Sequence, residues 1–173
     1  MQKTIETDLY KQLSNIRLVS LDVDGVLTDG GLYYADDGSI QRKFNVKDGV
    51  GIKRLIESGI IVAIISAGIS GSIPSRAKTL GIKYVFTGVE DKQIVLEELC
   101  KDLKIKLNEA AHIGDDLNDV ALLKIVGLPI AVADAQPEAI KVSKIITKKN
   151  GGCGAVREVC DALIMSIDSS VHQ

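Results

Sequence analysis

Val19-Ser20-Leu21-Asp22-Val23-Asp24-Gly25-Val26-Leu27-Thr28 sets two carboxylates, two residues apart, at the end of an apolar run. Alternate side chains of an extended chain share a face, so Asp22 and Asp24 lie together if the strand simply continues. Gly25 lets the backbone turn sharply at that point, and both acids can then converge on one pocket. Close carboxylates repel each other unless a cation or a shared proton relieves them. Taken alone, Asp-x-Asp reads more readily as a solvated acidic turn after a strand, so the surroundings have to decide.

Outward from this stretch, Ile16–Val23 reads as a buried strand. Leu32-Tyr33-Tyr34-Ala35, the turn Asp36-Asp37-Gly38 and Ile40-Gln41-Arg42-Lys43-Phe44 form a β-hairpin pattern, marked by its Asp-Gly step. A helical pattern starts at Gly49, passes through Ile52, Leu55 and Ile56, and stops at Gly59. Ile60–Ile65 is a second strand that delivers Ser66 at its end. A helix over 70–80 tolerates Pro74 in its first turn and ends at Gly81. Tyr84–Phe86 is a third strand, Asp91–Leu103 a helix, and Ala110–Ile113 a fourth strand running into Gly114-Asp115-Asp116. A helix at 117–126 and short strands at 129–132 and 144–147, around a helix at 137–142, come next. The Gly-rich joint Asn150–Gly154 then opens a final helix at 155–167, after which the last few residues read as frayed.

Strands and helices alternate throughout, which implies a parallel sheet with helices on both faces. The expected fold is α/β: a three-layer, Rossmann-like parallel sheet in a single domain over residues 1–173, with a small β-hairpin insertion at 31–44 and no large cap domain. A terminal unit at 150–173 completes it.

Composition narrows the function. The 173 residues are 46% hydrophobic but only 3% aromatic, with no Trp, so a base-stacking platform is not expected. A net charge of -2 argues against a phosphate-backbone footprint, and the short basic clusters Lys141–Lys144 and Lys148-Lys149 read as solvated faces; no nucleic-acid partner is expected. Three cysteines, Cys100, Cys153 and Cys160, form no Cys-x-x-Cys pair and suit a reducing compartment without structural zinc. No run reaches membrane-spanning length and Met1–Lys11 is polar with no apolar core, so a cytoplasmic protein with no membrane partner is expected.

In an open α/β sheet, ligands bind at the carboxyl ends of the strands. Asp22 and Asp24 follow the first strand, Ser66 the second and Asp115-Asp116 the fourth, while Lys92 opens the helix after the third. Singly, Ser66 is an ordinary strand-end residue, Lys92 a surface lysine and Asp119 an exposed helical acid; four such groups on one rim are not an ordinary coincidence. His112, inside an apolar strand with no ligand partner nearby, reads as structural. Tyr33, Tyr34 and Phe44 read as hairpin packing, and His172 as irrelevant.

Hydrophobic strand, Asp-x-Asp-Gly and a following Thr28 resemble motif I of the haloacid dehalogenase superfamily, whose members are mostly phosphatases. Ser66 then resembles motif II, Lys92 motif III, and Gly114-Asp115-Asp116 with Asp119 motif IV. The resemblance implies that Asp22 is a nucleophile forming an aspartyl-phosphate and that Asp24 gives and takes the proton. Ser66 and Lys92 would hold phosphoryl oxygens. Asp22, Asp115 and the main-chain carbonyl of Asp24 would hold Mg²⁺, and Asp116 and Asp119 would orient Lys92 or a metal-bound water.

From Ile16 to Leu163 the likeness narrows further. Asp24-Gly25-Val26-Leu27-Thr28-Asp29-Gly30, Phe44-Asn45-Val46-Lys47-Asp48-Gly49, Gly114-Asp115-Asp116-Leu117-Asn118-Asp119 and Gly151-Gly152-Cys153-Gly154-Ala155-Val156-Arg157-Glu158 are similar to the 3-deoxy-D-manno-octulosonate 8-phosphate phosphatase family. That family removes phosphate from an eight-carbon sugar acid on the route to lipopolysaccharide. It implies a homotetramer joined through the 31–44 hairpin, with a neighbour's tail helping to close the site, and it makes Thr28, Gly30, Lys47 and Arg76 candidate substrate contacts. One departure stands out. Where the family carries Ser-Gly-Arg at motif II, with an Arg suited to the substrate carboxylate, this chain has Ser66-Ala67-Gly68. A nine-carbon sugar-acid 9-phosphate, of sialic-acid or ketodeoxynononate type, is therefore the alternative substrate, and a catalytically silent phosphosugar-binding subunit the alternative role. A response-regulator receiver domain fits less well, since its phosphorylated Asp lies on a middle strand after the acidic pair.

Overall fold

The computed structural model describes residues 12–171, with side chains through 168; the polar stretch Met1–Lys11 and His172 lie outside that range. Eight strands and six α-helices carry the architecture among the described residues. The strands are β1 (Leu18–Leu21), β2 (Tyr33–Tyr34), β3 (Ile40–Gln41), β4 (Ile61–Ile65), β5 (Tyr84–Phe86), β6 (Ala110–Gly114), β7 (Leu128–Ala131) and β8 (Ile145–Ile146). The helices are α1 (Val46–Glu57), α2 (Ser72–Leu80), α3 (Lys92–Leu103), α4 (Leu117–Ile125), α5 (Pro137–Val142) and α6 (Ala155–Val171).

Six strands form one parallel sheet in the order β5-β4-β1-β6-β7-β8, and β2 pairs antiparallel with β3 as a separate hairpin. The chain winds from β1 outward through β4 to β5, then returns to β6 on the other side of β1. Winding therefore reverses between β1 and β6, and the loops leaving these two strands part to open a crevice at their carboxyl ends.

Side-chain alternation supplies the layers. Val19, Leu21, Val62, Ile64, Ala111 and Ile113 point to one face, where they meet Ile52 and Leu55 of α1, Ile73 and Ala77 of α2, and Val156, Val159 and Leu163 of α6. Leu18, Ala63, Ile65 and Ala110 point to the other, against Leu96, Leu99 and Cys100 of α3 and Leu122 of α4. The central strands are buried on both faces, which is why they read as short unbroken apolar runs.

Local signals place most boundaries. Asp91 caps α3 by accepting from the amides of Gln93 and Ile94, and Gly81 takes the left-handed conformation that ends α2. Two helices differ from expectation. Helix α1 starts at Val46, three residues before Gly49, because the Asn45 side chain accepts from Lys47 N and nucleates it earlier. Helix α6 continues to Val171 instead of stopping at 167. Tyr33 and Tyr34 also differ from the packing expected of them: they are 59% and 71% exposed, and only Phe44 packs against the core.

The Gly-rich joint seats itself on the loop after β1. Gly152 N donates to Val26 O at 2.9 Å, Asn45 Nδ2 donates to Gly152 O at 2.9 Å, and Gly151 N donates to Asp134 Oδ1 at 2.9 Å. A methyl group on Gly151 would run into the Gly25 carbonyl. Gly151→Ala is therefore expected to lower stability by about 1–3 kcal/mol, the usual range for overpacking against backbone, as read by urea unfolding.

Candidate active site

Asp22 follows β1 directly, and the chain then folds back on itself. The amides of Val26, Leu27 and Thr28 all donate to the carbonyl of Val23, and Gly25 has φ +86, a conformation open to glycine. A side chain at 25 would also collide with the carboxylate of Asp115, so glycine here lets β1 and β6 bring their acids together.

Lys92 ties three elements. Its ammonium lies 2.9 Å from Asp22 Oδ2 and 2.7 Å from Asp119 Oδ1, and all three side chains are almost fully buried. Asp22 Oδ1 accepts from Val23 N at 2.7 Å, which fixes the carboxylate plane. Asp119 is engaged on both oxygens: Oδ1 takes Lys92 and His112 Nε2 at 3.1 Å, and Oδ2 takes Asp115 N at 3.0 Å. Because Asp119 is a carboxylate, His112 must present its Nε2 proton to it; Nδ1 meets Ser20 Oγ at 2.9 Å. His112 is thus structural, as its sequence context suggested, but its work is to hold the acid that holds Lys92.

These neighbours push the acids apart. Asp119 sits well below the ordinary carboxylate range: burial works against its charge, but His112 and Lys92 outweigh it. Asp22 rises from 3.8 to about 6, first through burial and then through the charge of Asp119, with Lys92 opposing. Asp115 rises from 3.8 to about 7 through burial and the charges of Asp22, Asp119 and Asp116. Lys92 is held above its usual value, since the attraction of Asp22 and Asp119 exceeds the burial penalty.

Asp22, Asp115 and Asp119 offer oxygens within 4.8 Å of one another, so a cation could sit among them. Asp119 is already committed to four donors, Lys92, His112 and the amides of Asp115 and Asp116. Asp115 Oδ1 is buried with no hydrogen-bond partner, and burial beside other carboxylates disfavours the charge of both Asp22 and Asp115, which is what a cation relieves. The residues present therefore fit a hard divalent ion on Asp22 and Asp115.

Above them opens a cavity of about 400 Å³ lined by Asp22, Asp24, Ser66, Ala67, Gly68, Asp115, Asp116, Leu117 and Asn118. The geometry brings together Asp22, Asp24, Ser66, Lys92 and Asp115, all read from the rim of the sheet. Other candidates sit differently. Asp116 does not reach Lys92; it caps α4, accepting from Leu117 N at 2.6 Å. Thr28, Gly30, Lys47 and Arg76 are not among the residues lining the cavity. The Thr28 hydroxyl is buried in the turn, donating to Val23 O and accepting from Gly30 N, and so braces the loop. Arg76 donates to Asn45 O at 3.0 Å and lies over the Phe44 ring, held by α1 and its cap.

One residue was missed. Arg42, just past β3, reaches Asp24 through Nε at 2.7 Å and Nη2 at 2.9 Å, and donates from Nη1 to Ser70 Oγ. Nothing local distinguishes it from Lys43 beside it; only the hairpin's position over the rim does.

Comparison with known proteins agrees with this geometry. Residues 84–159 match the family model of haloacid dehalogenase-like hydrolases. The chain is 42% identical to the 3-deoxy-D-manno-octulosonate 8-phosphate phosphatase KdsC of Yersinia pestis over 164 residues, 95% of this chain and 88% of that protein. It superposes with a TM-score of 0.91 on the Moraxella catarrhalis phosphatase of that name, solved with magnesium, phosphate and KDO, at 39% identity over 96% of this chain and 97% of the other. The cobalt-bound Haemophilus influenzae phosphatase gives 0.88 at 37% identity over 92% and 93%.

A pH dependence follows from the acids. A carboxylate whose pKa is raised by folding favours the folded state at low pH and loses that contribution as pH climbs through the folded value. Without divalent ions, the thermal midpoint should fall between about pH 4 and pH 7, from the ordinary carboxylate value of 3.8 up to the folded values of about 6 for Asp22 and about 7 for Asp115. Mg²⁺ should restore it most at pH 8. A metal-free midpoint that rises over the same window would contradict this account.

Proposed function

The chain belongs to the 3-deoxy-D-manno-octulosonate 8-phosphate phosphatase family, and from that premise we propose that it hydrolyses a sugar-acid phosphate monoester, 3-deoxy-D-manno-octulosonate 8-phosphate, on the way to lipopolysaccharide. The observation that carries the reading is the buried Lys92, which holds Asp22 at the floor of a cavity rimmed by Asp24, Ser66 and Asp115.

Asp22 Oδ attacks phosphorus. The bond from phosphorus to the sugar oxygen breaks, its electron pair leaves on that oxygen, and Asp24 supplies the proton. Asp24 then takes a proton from water as the water attacks phosphorus, and the bond to Asp22 breaks to release inorganic phosphate. For that exchange the grip of Arg42 on both oxygens of Asp24 has to open, which makes the hairpin part of the reaction. The Ser66 hydroxyl and Lys92 ammonium hold the phosphoryl oxygens, while Asp119 and His112 keep Lys92 in place. Mg²⁺ held by Asp22, Asp115 and the Asp24 carbonyl would neutralise the approach of one anion to another.

Assembly belongs to the same reading. The hairpin leaves Leu32, Tyr33 and Tyr34 exposed, and strands of two residues do not stand alone, so a homotetramer joined through this face is proposed. A cytoplasmic location is supported by three free cysteines, and no helix among the described residues is long and apolar enough to cross a membrane.

Asp22→Asn should lose phosphate release by about 1,000-fold or more while unfolding like the parent; activity surviving in that variant would remove the nucleophile. EDTA should abolish turnover and Mg²⁺ restore it. On a sizing column the protein should run as a tetramer, and Tyr33→Asp with Tyr34→Asp should shift it to smaller species; a parent that elutes as a monomer would refute the assembly.

A further inference from the structure

Asp24 differs from the acid two residues before it in what holds it. Asp22 is fixed by Lys92 and by the amide of Val23. The Asp24 carboxylate has a single hydrogen-bonding residue among the described residues, Arg42 of the hairpin. Arg42 takes Oδ1 through Nε at 2.7 Å and Oδ2 through Nη2 at 2.9 Å. Its side chain is 2% exposed and is itself anchored: Nη1 donates to Ser70 Oγ, which pairs with Ser72 Oγ at 2.7 Å. These contacts are all internal, and Arg42 is not among the residues lining the cavity.

Room for the clasp comes from Gly68. A Cβ there would stand 2.8 Å from Arg42 Nη2, 3.0 Å from Asp24 Oδ2 and 3.3 Å from Ser66 Oγ. Gly68 is not one of the glycines in the left-handed conformation, so space, and not backbone geometry, accounts for it. The same distances set Oδ2 of Asp24 beside Ser66 and Gly68, on the cavity side. Oδ1 lies with Nε, toward the stem of Arg42. The two halves of the clasp are therefore not equivalent: one oxygen faces the site and the other the hairpin.

We propose that Arg42 is the positioning residue for Asp24: hinged through Nε, it aims Oδ2 at the leaving oxygen and receives the carboxylate once the proton has left. The inference rests on the phosphatase reading above. A proton passes only within hydrogen-bond reach, about 2.6–3.2 Å between heavy atoms, and a short side chain in a turn does not keep that distance unaided. When Nη2 lets go of Oδ2, the Nε contact at Oδ1 still holds the carboxyl. Oδ2 gives its proton as the bond from phosphorus to the sugar oxygen breaks, with the electron pair staying on that oxygen. Both nitrogens then take the carboxylate again. The proton that returns to Oδ2 comes from the water that attacks phosphorus.

The test compares two esters. The sugar oxygen of 3-deoxy-D-manno-octulosonate 8-phosphate needs a proton to leave, whereas the phenolate of p-nitrophenyl phosphate does not. In Arg42→Gln, kcat/KM for the sugar ester should fall by about 100-fold, the usual cost of a misplacement of about 1 Å. The loss should lie in kcat, with KM within about twofold, because Ser66 and Lys92 still hold the phosphate. For p-nitrophenyl phosphate, kcat/KM should change by less than about threefold. Arg42→Lys, which keeps charge without the paired contact, should recover only part of the loss. In an Asp24→Asn background, adding Arg42→Gln should cost less than about twofold, since no proton is left to aim. Gly68→Ala displaces only the end of a flexible side chain, so it answers the question even where Arg42→Gln fails to fold; the same split, of about tenfold, is expected.

Equal losses for both esters overturn the assignment, as does a loss confined to KM or a full further loss in the Asp24→Asn background. The last two are what a direct contact between Arg42 and substrate would give. Failure of the underlying reading looks different, because the parent itself then releases phosphate from neither ester, and the role of Arg42 falls with it. A parent active on both esters whose variants show no split refutes Arg42 alone.

Discussion

The ammonium of Lys92 between Asp22 and Asp119 is the contact on which the remainder of the site depends. Three buried charges, one positive and two negative, are brought together by β1, by the start of α3 and by α4. Desolvating such groups is expensive, and a pair of this kind is tolerated only when its other lone pairs are satisfied. Here they are: Asp22 by Val23 N, Asp119 by His112 and Asp115 N, and His112 by Ser20. The network spans both strands at the point where winding reverses, so it fixes the crevice and the direction in which Asp22 presents its oxygen.

The same network explains why neighbouring carboxylates behave differently. Asp119 has taken the compensation, with donors on each oxygen, and its charge is stable. Asp22, although it has Lys92 and Val23 N, is buried beside the charge of Asp119, and Asp115 is buried with an oxygen that has no partner, so both resist ionisation. Negative charge is therefore deliberately in excess on the cavity side and balanced on the core side. A divalent ion held by Asp22 and Asp115 would relieve both carboxylates, and Ser66 and Lys92 are placed to hold the oxygens of a phosphate.

Much of this was legible from order along the chain. Parallel strands put their carboxyl ends on one rim, so Asp22, Asp24, Ser66 and Asp115 could be grouped without knowing the strand order, and Lys92 followed from its place at a helix start. The parts that escaped reading depend on what lies across space. Asn45 started α1 early through a side chain that competes with no periodicity signal. Thr28 has the chemistry of a ligand contact, but the turn around Val23 uses its hydroxyl internally. Arg76 is seen to use its guanidinium on the carbonyl of Asn45 and the face of Phe44, contacts no spacing in the sequence announces. Arg42 carried no local mark, since burial of a hairpin arginine is decided by the surface beneath the hairpin.

The hairpin then joins two properties that are otherwise unrelated. Its outer side offers Tyr33 and Tyr34 to solvent, while Arg42 reaches inward to Asp24 and Ser70. Strands of two residues have little stability of their own, so the guanidinium is only as well placed as the hairpin that bears it. Packing of the outer face against another copy would remove backbone freedom at the base of Arg42 without touching the cavity. The hold on Asp24 and any packing of the aromatic face would then be linked, because one short pair of strands carries both. A cap domain achieves such rigidity with its own core; a hairpin this small rests on the contacts Arg42 makes beneath it.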